Sequence, residues 1–395
     1  MKILFISPVL PYPLISGGRI RAYNLLKNIS QQHTVTLFTF LRKNEEQHIP
    51  EVEKICHKVI YVRRRNIWSF INLVLTAFLP FPLLMVSYFS LAARKLLKNE
   101  LLNNYDLISS ETFYVLSSLL GLKKPPLVLT EHNIEYLVFR KYIDRKTFLL
   151  KPLLQLDLSK LVFWEQHYWR KVDKLIAVSG EDKKIIEKVS SRKVLLVPNG
   201  IDKDFFERTK KQRRMQKTAI FVGNFSWLPN SDAATFLVKE IWPKIYQKIP
   251  SAKLLIIGKN ASIFLKEIIK KTKGVILKEN VEDIRNILAV ADVLIAPLRL
   301  GRGTRYKILE SMAAGVCVVT TSLGIEGIEA RPGKHVLIGD NEQEIALRAI
   351  ELLENKDLNN KMSKVAQRFV FERYNWENIG KGLNKIYHEI CDNLR

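Results

Sequence analysis

Short runs of apolar residues, rich in Val, Ile and Leu, alternate along the chain with longer stretches in which apolar residues recur at helical spacing. Within the short runs, apolar and polar positions do not alternate strictly, which is typical of strands buried on both faces of a parallel sheet. The predicted strands are Lys2–Ile6, Thr34–Phe40, Val59–Val62, Asp106–Ser109, Leu127–Leu129, Lys174–Val178, Val194–Val197, Ala219–Val222, Lys253–Ile257, Val275–Leu277, Val293–Ala296, Val316–Thr320 and His335–Ile338.

These strands fall into two series, and each strand is followed by a stretch of helical period. Repeated strand–helix units predict a doubly wound α/β domain, so two series predict two such domains. The turn signal Pro198–Asp202 and the polar tract Glu207–Lys217 separate the series. We interpret the basic tract as a solvated linker, with anion binding as the alternative. The predicted first domain covers 1–205, the linker 206–217 and the second domain 218–375.

Length and composition agree with two packed domains. The chain has 395 residues, 47% of them hydrophobic, which excludes an intrinsically disordered protein. Its cysteines, Cys56, Cys317 and Cys391, form no C-x-x-C pair, which argues against a disulfide framework or a zinc site and favours a reducing cytosol. The first apolar run is short and is soon followed by Pro8, so it is not typical of a signal peptide.

The chain is strongly basic. Lys and Arg number 63 against 39 Asp and Glu, which gives a formal net charge of +24. This excess favours a polyanionic partner, which would be nucleic acid, an anionic membrane or a phosphorylated ligand. The sequence carries no helix-turn-helix, RRM, KH or finger signature, so we predict no nucleic-acid partner.

One long segment, Asn66–Ala93, contains no charged residue and is long enough on paper to span a bilayer. Pro80 and Pro82 divide it into halves, each too short to cross as one helix. Three interpretations stay open at this point: a transmembrane helix, a pair of helices in the membrane interface, or packing in a core or between domains.

Ligands of doubly wound sheets bind beyond the carboxyl ends of the strands. After the first strand, Gly17-Gly18 precedes a helical run, where glycines let backbone amides approach a phosphate. The sequence has neither G-x-G-x-x-G nor G-x-x-x-x-G-K-[ST], which argues against dinucleotide oxidoreductases and P-loop enzymes. His132 follows the fifth strand, and it either contacts a ligand hydroxyl or phosphate or lies incidentally beside a helix cap at Asn133.

The loop after Val293–Ala296 combines glycines, cations and a carboxylate at the start of a helix. Backbone amides and the helix dipole favour an anion there. Glu310, about one turn into the helix, can accept hydrogen bonds from the two hydroxyls of a ribose. A solvated basic turn does not explain this combination, so we predict a diphosphate-and-ribose site. Its glycines and cations are Gly301, Arg302, Gly303, Arg305 and Lys307.

These motifs, in this order, resemble the GT-B glycosyltransferases of the large retaining family called family 4 or group 1. The resemblance runs nearly end to end, and W-x-P-N-x-D-A combined with G-T-R-x-K-I-L-E is similar to one subgroup, frequently met in polysaccharide gene clusters. It implies two Rossmann-like domains facing a cleft, with a C-terminal helix, 376–395, returning to the first domain. The residues that carry it are Gly17-Gly18, Glu131–Asn133, Ala177–Ser179, Val197–Asp202, Phe221–Ala233, Pro297–Arg299, Gly303–Glu310 and Gly324–Gly327.

The activity implied by the resemblance is transfer of a sugar, of hexosyl type, from a nucleotide-diphosphate sugar to an acceptor hydroxyl, with retention at the anomeric carbon. The resemblance also implies that no metal and no other cofactor is needed, because positive groups and helix N-termini stabilise the leaving diphosphate. Asp202-Lys203-Asp204 spells the D-x-D of metal-dependent enzymes of another fold. It falls in the linker motif here, so we assign it no metal.

We predict a role for each site residue. The predicted catalytic residues are His132, which contacts the donor sugar or the acceptor hydroxyl, and Arg305 and Lys307, which neutralise the diphosphate. Trp227 is alternatively a core anchor. Backbone near Lys278–Val281 is expected to contact the base. The predicted donor-binding residues are Gly17, Gly18, Gly223, Asn224, Trp227, Asn230, Arg302, Gly303, Thr304 and Glu310.

Two positions depart from the family pattern. The E-x7-E pair of the family would place carboxylates at positions 302 and 310; Glu310 matches the second, whereas the first is Arg302. Many members also carry an Arg and a Lys after the first strand of the second domain, but the corresponding stretch, Asn224–Asn230, contains no cation. Something must still offset the charge on the leaving group, and Arg302, Arg305 and Lys307 are the available substitutes.

Basic and aromatic residues interleave on predicted helices between Glu135 and Lys174. Such a mixture fits an anionic bilayer surface, and an amphipathic helix packed on its own sheet is the alternative. We expect a cytoplasmic protein, peripheral at the inner face of the cell membrane, with a lipid-linked or polysaccharide acceptor. The competing functions are a degenerate GT-B module that binds nucleotide sugar without transferring it, and a nucleotide-sugar epimerase.

Overall fold

The computed structural model describes residues 1–144, 151–207, 217–281, 284–288, 290–301 and 305–392. The chain divides into two compact units. The first comprises Met1–Pro198 together with the residues from Glu377 onward, and the second comprises Asn199–Trp376.

The first unit is built on one sheet of seven parallel strands, in the order β3-β2-β1-β4-β5-β6-β7. The strand order reverses between β1 and β4, which are neighbours in the sheet but not along the chain. This is the point where doubly wound sheets bind their ligands. The strands are β1 Lys2–Ser7, β2 Thr34–Leu41, β3 Lys58–Arg63, β4 Leu107–Ser110, β5 Leu127–Glu131, β6 Lys174–Ala177 and β7 Val194–Leu196.

Helices connect these parallel strands. They are α1 Gly17–Ile29, α2 Ile49–Glu53, α3 Phe70–Phe78, α4 Leu83–Tyr88, α5 Leu91–Glu100, α6 Glu135–Ile143, α7 Lys151–Lys171 and α8 Gly180–Ser190. Short 3₁₀ turns add Glu46–His48, Leu101–Asn103 and Tyr114–Leu119.

The second unit has a six-stranded parallel sheet in the order β10-β9-β8-β11-β12-β13, so its order reverses between β8 and β11. Its strands are β8 Thr218–Asn224, β9 Lys253–Lys259, β10 Val275–Glu279, β11 Val293–Ala296, β12 Cys317–Thr320 and β13 Leu337–Ile338. Its helices are α9 Lys203–Glu207, α10 Leu228–Phe236, α11 Trp242–Lys248, α12 Ile263–Lys271, α13 Arg285–Leu288, α14 Tyr306–Ala313, α15 Glu342–Glu354 and α16 Lys356–Arg373, with a π-helical turn at Leu237–Ile241.

The last helix, α17 Trp376–Asp392, begins at the boundary and packs on the first unit. The Tyr387 hydroxyl donates to Ser109 Oγ over 2.7 Å, and Asn384 Nδ2 donates to Gln32 Oε1 over 3.2 Å. Tyr387 is completely buried. The polypeptide thus leaves the first unit once and returns to it at its end.

Each predicted strand overlaps an observed one. The central strands β4, β5, β11 and β12 are buried at every residue, which explains why their sequences do not alternate. The domain boundary differs from the prediction of 205, because Ile201 and Phe206 belong to the core of the second unit. The division follows Pro198, within the turn signal. Most of the predicted linker lies outside the described residues.

The uncharged segment Asn66–Ala93 behaves differently in its two halves. Helix α4 is buried in the first unit, whereas α3 exposes nearly all of its apolar side chains, with only Asn72 fully buried. The interpretation as core packing therefore holds for α4, and because α4 is buried, a pair of helices that both lie in the membrane interface is wrong. Within the described part of the chain, no helix combines the length and the apolar character needed to cross a bilayer.

The basic and aromatic stretch between Glu135 and Lys174 also contains both buried and exposed aromatic side chains. Trp169 and Tyr168 on α7 and Tyr136 on α6 are buried in the core of the first unit, whereas Phe163 is 61% exposed. Most of these aromatic residues therefore pack on their own sheet, as the alternative interpretation expected. Phe148 lies outside the described residues.

Candidate functional site

In the first unit, the loops after β1, β4 and β5 bring three side chains together. His132 follows β5, and its Nε2 lies 2.5 Å from Oε2 of Glu111, the residue that follows β4. Arg21, on α1, donates from Nε to the same Glu111 oxygen over 3.2 Å. Gly18, the second residue of this helix, lies beside the imidazole, since a Cβ on Gly18 would lie 3.8 Å from His132 Nδ1.

This cluster is buried and charged. Arg21 and Glu111 are each 1% exposed, while the His132 side chain keeps 19% of its exposure. Burial alone would raise the pKa of Glu111, but the Arg21 guanidinium and the His132 imidazole together hold it below its usual range. Arg21 also donates to the carbonyl oxygens of Val197 and Pro198, both over 3.0 Å. One imidazole nitrogen is thus occupied by Glu111, and Nδ1 faces the Gly17-Gly18 turn.

The sequence predicts Gly17, Gly18 and His132 as site residues. It does not point to Arg21 or Glu111, which only the structure places beside them. Glu111 stands directly after β4, at the reversal of strand order, and the loop at that strand end would have revealed it. Arg21 carried no such signal, because a cation on the first turn of a helix is ordinary until a buried carboxylate is known to face it.

In the second unit, the segments after β8 and β11 meet at the corresponding reversal. Lys307, on α14, donates from Nζ to Asn230 Oδ1 on α10 over 2.7 Å. Its ammonium also lies 4.4 Å from the centre of the Phe221 ring on β8. Burial, together with the neighbouring Arg305, lowers the pKa of Lys307 to about 7, although Glu310 opposes the shift. Burial raises the pKa of Glu310, one turn along α14, also to about 7.

The loop after β8 is shaped by hydrogen bonds of Asn224. Its Oδ1 accepts from Ser226 Oγ over 2.9 Å and from Asn260 Nδ2 over 3.0 Å, so it stabilises the turn. Trp227, in the same turn, is 56% exposed, which makes the core-anchor alternative wrong. Gly223 approaches Asn230 so closely that a Cβ would lie 2.8 Å from Asn230 Cγ.

The loop after β11 places Arg305 against Gly301. Gly301 has a φ of 96°, a conformation that favours glycine, and a Cβ there would lie 3.1 Å from Arg305 Nη1. A second tie joins this loop to α10: Arg299 donates to both carboxylate oxygens of Asp232, over 2.9 and 3.1 Å. The predicted residues Arg302, Gly303 and Thr304 lie outside the described residues.

A metal ion in a protein is usually held by several His, Cys, Asp or Glu side chains. Among the residues that the structure describes, no such side chains form a group of three that could hold a metal ion. In the D-x-D sequence, Asp202 Oδ1 accepts the backbone N–H of Phe205 over 2.9 Å. Asp202 therefore caps the turn that begins α9.

Two known family profiles match the chain. Residues 15–205 match the profile of Glycosyltransferase Family 4, and residues 216–355 match Glycosyl transferases group 1. The two profiles together cover most of the chain and correspond to its two α/β units. The chain is therefore a glycosyltransferase of the group 1/family 4 class.

Two curated relatives are similar in sequence. An uncharacterized 44.6 kDa protein in the cps region of Klebsiella pneumoniae is 25% identical over 97% of this chain and 99% of that protein. The phosphatidyl-myo-inositol mannosyltransferase of Mycobacterium tuberculosis is 28% identical over 49% of this chain and 54% of that enzyme.

Two solved structures share the fold. Sucrose-phosphate synthase from Thermosynechococcus elongatus aligns with a TM-score of 0.76 and 15% identity, covering 99% of both chains. Anabaena Alr3699/HepE, in complex with UDP-glucose, aligns with a TM-score of 0.66 and 16% identity over 98% of this chain and all of that one. Together with the two parallel-sheet units, they show that the fold is GT-B.

Proposed function

We propose that this glycosyltransferase moves a hexosyl group from a nucleotide-diphosphate sugar to a hydroxyl of a lipid-linked or saccharide acceptor. The transfer retains the anomeric configuration, needs no metal, and serves the synthesis of a cell-surface polysaccharide or glycolipid. The reaction takes place on the cytoplasmic side of the membrane, with the protein bound peripherally.

The observation that carries the proposal is the arrangement of Lys307 and Glu310 on the first turns of α14, at the reversal of strand order in the second unit. Lys307 offsets the charge that builds on the departing diphosphate, and such electrostatic stabilisation is the largest contribution in many enzymes. Glu310, when ionised, accepts hydrogen bonds from the two ribose hydroxyls. Arg305 adds a second cation beside Lys307.

In the first unit, His132 contacts the donor sugar or the acceptor hydroxyl. Glu111 occupies its Nε2, which leaves Nδ1, on the side of Gly18, for a substrate oxygen. Because both Glu111 and Arg21 are buried, the imidazole is held in one orientation before any substrate arrives.

The related proteins support a saccharide product. HepE was solved with UDP-glucose, the Klebsiella relative lies in a cps region, and the mycobacterial relative acts on a phosphatidyl-inositol. These agree in type with a nucleotide-sugar donor and with an acceptor that is a saccharide or a lipid.

A donor panel tests the proposal. We expect UDP-, GDP-, ADP- or dTDP-sugars to raise the melting temperature, with one base preferred, and the preferred donor to be consumed when acceptor is present. Lys307→Ala and Glu310→Ala should each lower kcat/KM at least tenfold, whereas Lys334→Ala, at an exposed residue of the same unit, should not. Unchanged turnover in the first two variants would refute this placement of the site.

The same assay separates the competing functions. Binding without transfer or hydrolysis would indicate a degenerate module, and conversion of the donor without any acceptor would indicate an epimerase. NMR of the product's anomeric proton reports retention or inversion.

Peripheral membrane binding is proposed from the surface of α3. Phe70 and Phe78 at its ends are 79% and 85% exposed, with Ile71 at 54% between them. The helix contains no charged residue, and the cations Arg63 to Arg65 precede it along the chain, separated from it by Asn66–Ser69. An apolar helix face next to cations fits the interface of an anionic bilayer.

Helix α7 fixes α3 with its apolar side chains outward. Lys160 Nζ donates to the carbonyl oxygens of Thr76 and Leu79, over 2.6 and 2.7 Å, at the C-terminal end of α3. Trp164 Nε1 donates to the Pro80 carbonyl over 2.8 Å. The polar groups at this end of α3 therefore have partners within the protein, and its exposed apolar side chains remain for lipid.

Vesicle sedimentation tests the membrane proposal. Wild-type protein should sediment with phosphatidylglycerol vesicles at low salt, and Phe70→Ser with Phe78→Ser should release most of it into the supernatant. Ile263→Ser, at an equally exposed apolar residue on α12 of the second unit, is the matched control and should sediment like wild type. Release of the wild type, or equal release by the control, would contradict the proposal.

A further inference from the structure

Asn230 lies in the stretch that follows β8, where Asn224–Asn230 contains no cation, and its side chain makes two hydrogen bonds. Its Oδ1 accepts from Lys307 Nζ over 2.7 Å, and its Nδ2 donates to the Asn224 carbonyl over 2.9 Å. An ammonium can only donate and a carbonyl can only accept, so the amide has one possible orientation. It presents its oxygen to Lys307.

The backbone fixes this amide in place. Gly223 leaves no room for a Cβ, which would lie 2.8 Å from Asn230 Cγ. The amide therefore rests directly on the last residues of β8, while its oxygen reaches across to α14. The W-x-P-N-x-D-A and G-T-R-x-K motifs, which are separate in sequence, are joined by this contact.

We propose that Asn230 is the positioning residue for Lys307, holding the ammonium toward the donor diphosphate through a neutral amide that adds no negative charge of its own. This inference rests on the proposed function of Lys307. An aspartate in the same place would bind the ammonium as an ion pair and compete with the diphosphate for it. The amide occupies one of the three ammonium protons and leaves the other two for the ligand.

A neutral partner has a further consequence for protonation. Burial and the neighbouring Arg305 lower the pKa of Lys307 to about 7 although the Glu310 carboxylate opposes the shift, and the Asn230 amide adds no charge of its own. A bound diphosphate favours the protonated amine. At pH 8, therefore, binding is accompanied by uptake of about one proton from the buffer onto Nζ.

Calorimetry tests this inference, with the probe being whichever of UDP, GDP, ADP and dTDP binds the wild type most tightly. Titrations at pH 8 in two buffers of different ionisation enthalpy measure the proton uptake. Asn230→Ala should weaken binding roughly ten- to hundredfold, the usual size of a hydrogen bond to a charged group. Asn230→Asp keeps the acceptor but supplies the charge, so proton uptake should disappear while binding weakens.

Asp232→Asn is the matched control, since it removes the negative charge from the contact between Arg299 and Asp232, which joins the same two segments without involving Lys307. Its affinity should stay within twofold of wild type, with normal proton uptake. If Asn230→Ala binds like wild type, or if Asp232→Asn loses as much affinity as Asn230→Ala, the positioning role is wrong. Unchanged proton uptake in Asn230→Asp would also overturn it.

Failure of the proposed function looks different. If none of the four nucleoside diphosphates binds the wild type, or if Lys307→Ala binds as well as wild type, the site itself is wrong. If Lys307→Ala loses binding and Asn230→Ala does not, only the role of Asn230 is refuted.

Discussion

His132 in the first unit is hydrogen-bonded to a carboxylate, Glu111, which is buried and paired in turn with Arg21. Lys307 in the second unit is hydrogen-bonded to a neutral amide, Asn230, which is held by a backbone carbonyl. Lys307 lies at the reversal of strand order in its sheet, and His132 follows β5, the neighbour of β4 at the reversal in the other sheet. Both present a nitrogen to the region beyond the strands.

The difference follows from what each nitrogen is proposed to do. An imidazole that must keep one orientation benefits from a strong, charged partner, although burying that partner requires a second charge, which Arg21 supplies. A lysine that must neutralise a diphosphate loses its function when a carboxylate neutralises it first. A neutral amide binds the ammonium less strongly than a carboxylate would, but it leaves the charge of the lysine available to the ligand.

The largest effect is expected when the charged partner of His132, the Glu111 carboxylate, is removed. Glu111→Gln should destabilise the first unit by about 3–5 kcal/mol, because the buried Arg21 charge loses its carboxylate. The pKa of Glu111 is held low, so this contribution is complete above the ordinary carboxyl pKa and disappears as the pH falls through the folded value. Thermal unfolding at pH 7 and at pH 3 measures both.

The control for this change is Glu51→Gln, at a half-exposed carboxylate paired with Lys54 in the same unit. It should alter stability by less than about 0.5 kcal/mol. Glu111→Gln as stable as wild type at pH 7 would show that the pair contributes nothing beyond its shape.

The next largest effect concerns Lys307, the partner of the neutral Asn230 amide, and the pH dependence of donor kcat/KM. With Lys307 and Glu310 both near a pKa of about 7, donor kcat/KM should peak close to neutral pH. It should fall up to about tenfold per pH unit on each side, as Glu310 protonates below and Lys307 deprotonates above. Lys307→Arg stays charged, so its alkaline decline should vanish. An alkaline decline that persists in this variant would assign it to another group.

A smaller effect contrasts Glu111 with another buried glutamate, Glu131. Trp169 Nε1 donates to its Oε1 over 3.0 Å. Burial, together with the neighbouring Glu165, nevertheless raises the pKa of Glu131 well above the usual range. A raised carboxyl pKa means that stability is lost as the pH rises. Glu131→Gln should therefore melt roughly 2–4 °C above wild type at pH 8 and no higher at pH 5. An equal gain at both pH values would contradict this reasoning.

The smallest effect is expected from removal of metal ions, which should leave the transfer rate unchanged. Because the proposed charge compensation comes from Lys307 and Arg305, prior treatment with EDTA should leave the transfer rate within twofold of the untreated rate. Loss of activity that Mg²⁺ or Mn²⁺ restores would show that the protein cations are not sufficient.

Much of the fold followed from the sequence, because buried parallel strands have a local signature. Runs such as Val293–Ala296 are apolar at every position, and a strand buried on both faces needs no partner to be recognised. The domain boundary was less accurate, since Ile201 and Phe206 sit in a polar neighbourhood and only their packing assigns them to the second unit.

Some residues of the candidate site could also be predicted from the sequence, and others could not. Lys307, Glu310 and His132 were found because each follows a strand or begins a helix, which is visible in one short segment. Glu111 and Arg21 lie 90 residues apart, and neither stands out until β1 and β4 become neighbours. The exposure of α3 and the burial of α4 were equally hidden, because both are uncharged in sequence.

The sequence by itself determined the two α/β units, the positions of their strands along the chain and the side chains at the strand ends, since these depend on local hydrophobicity and turn chemistry. Only the tertiary structure decided the partners: a carboxylate for His132 and an amide for Lys307. Hydrogen bonds act over about 3 Å of space, whatever the separation along the chain, so pairs joined across a sheet become visible only when the sheet has formed.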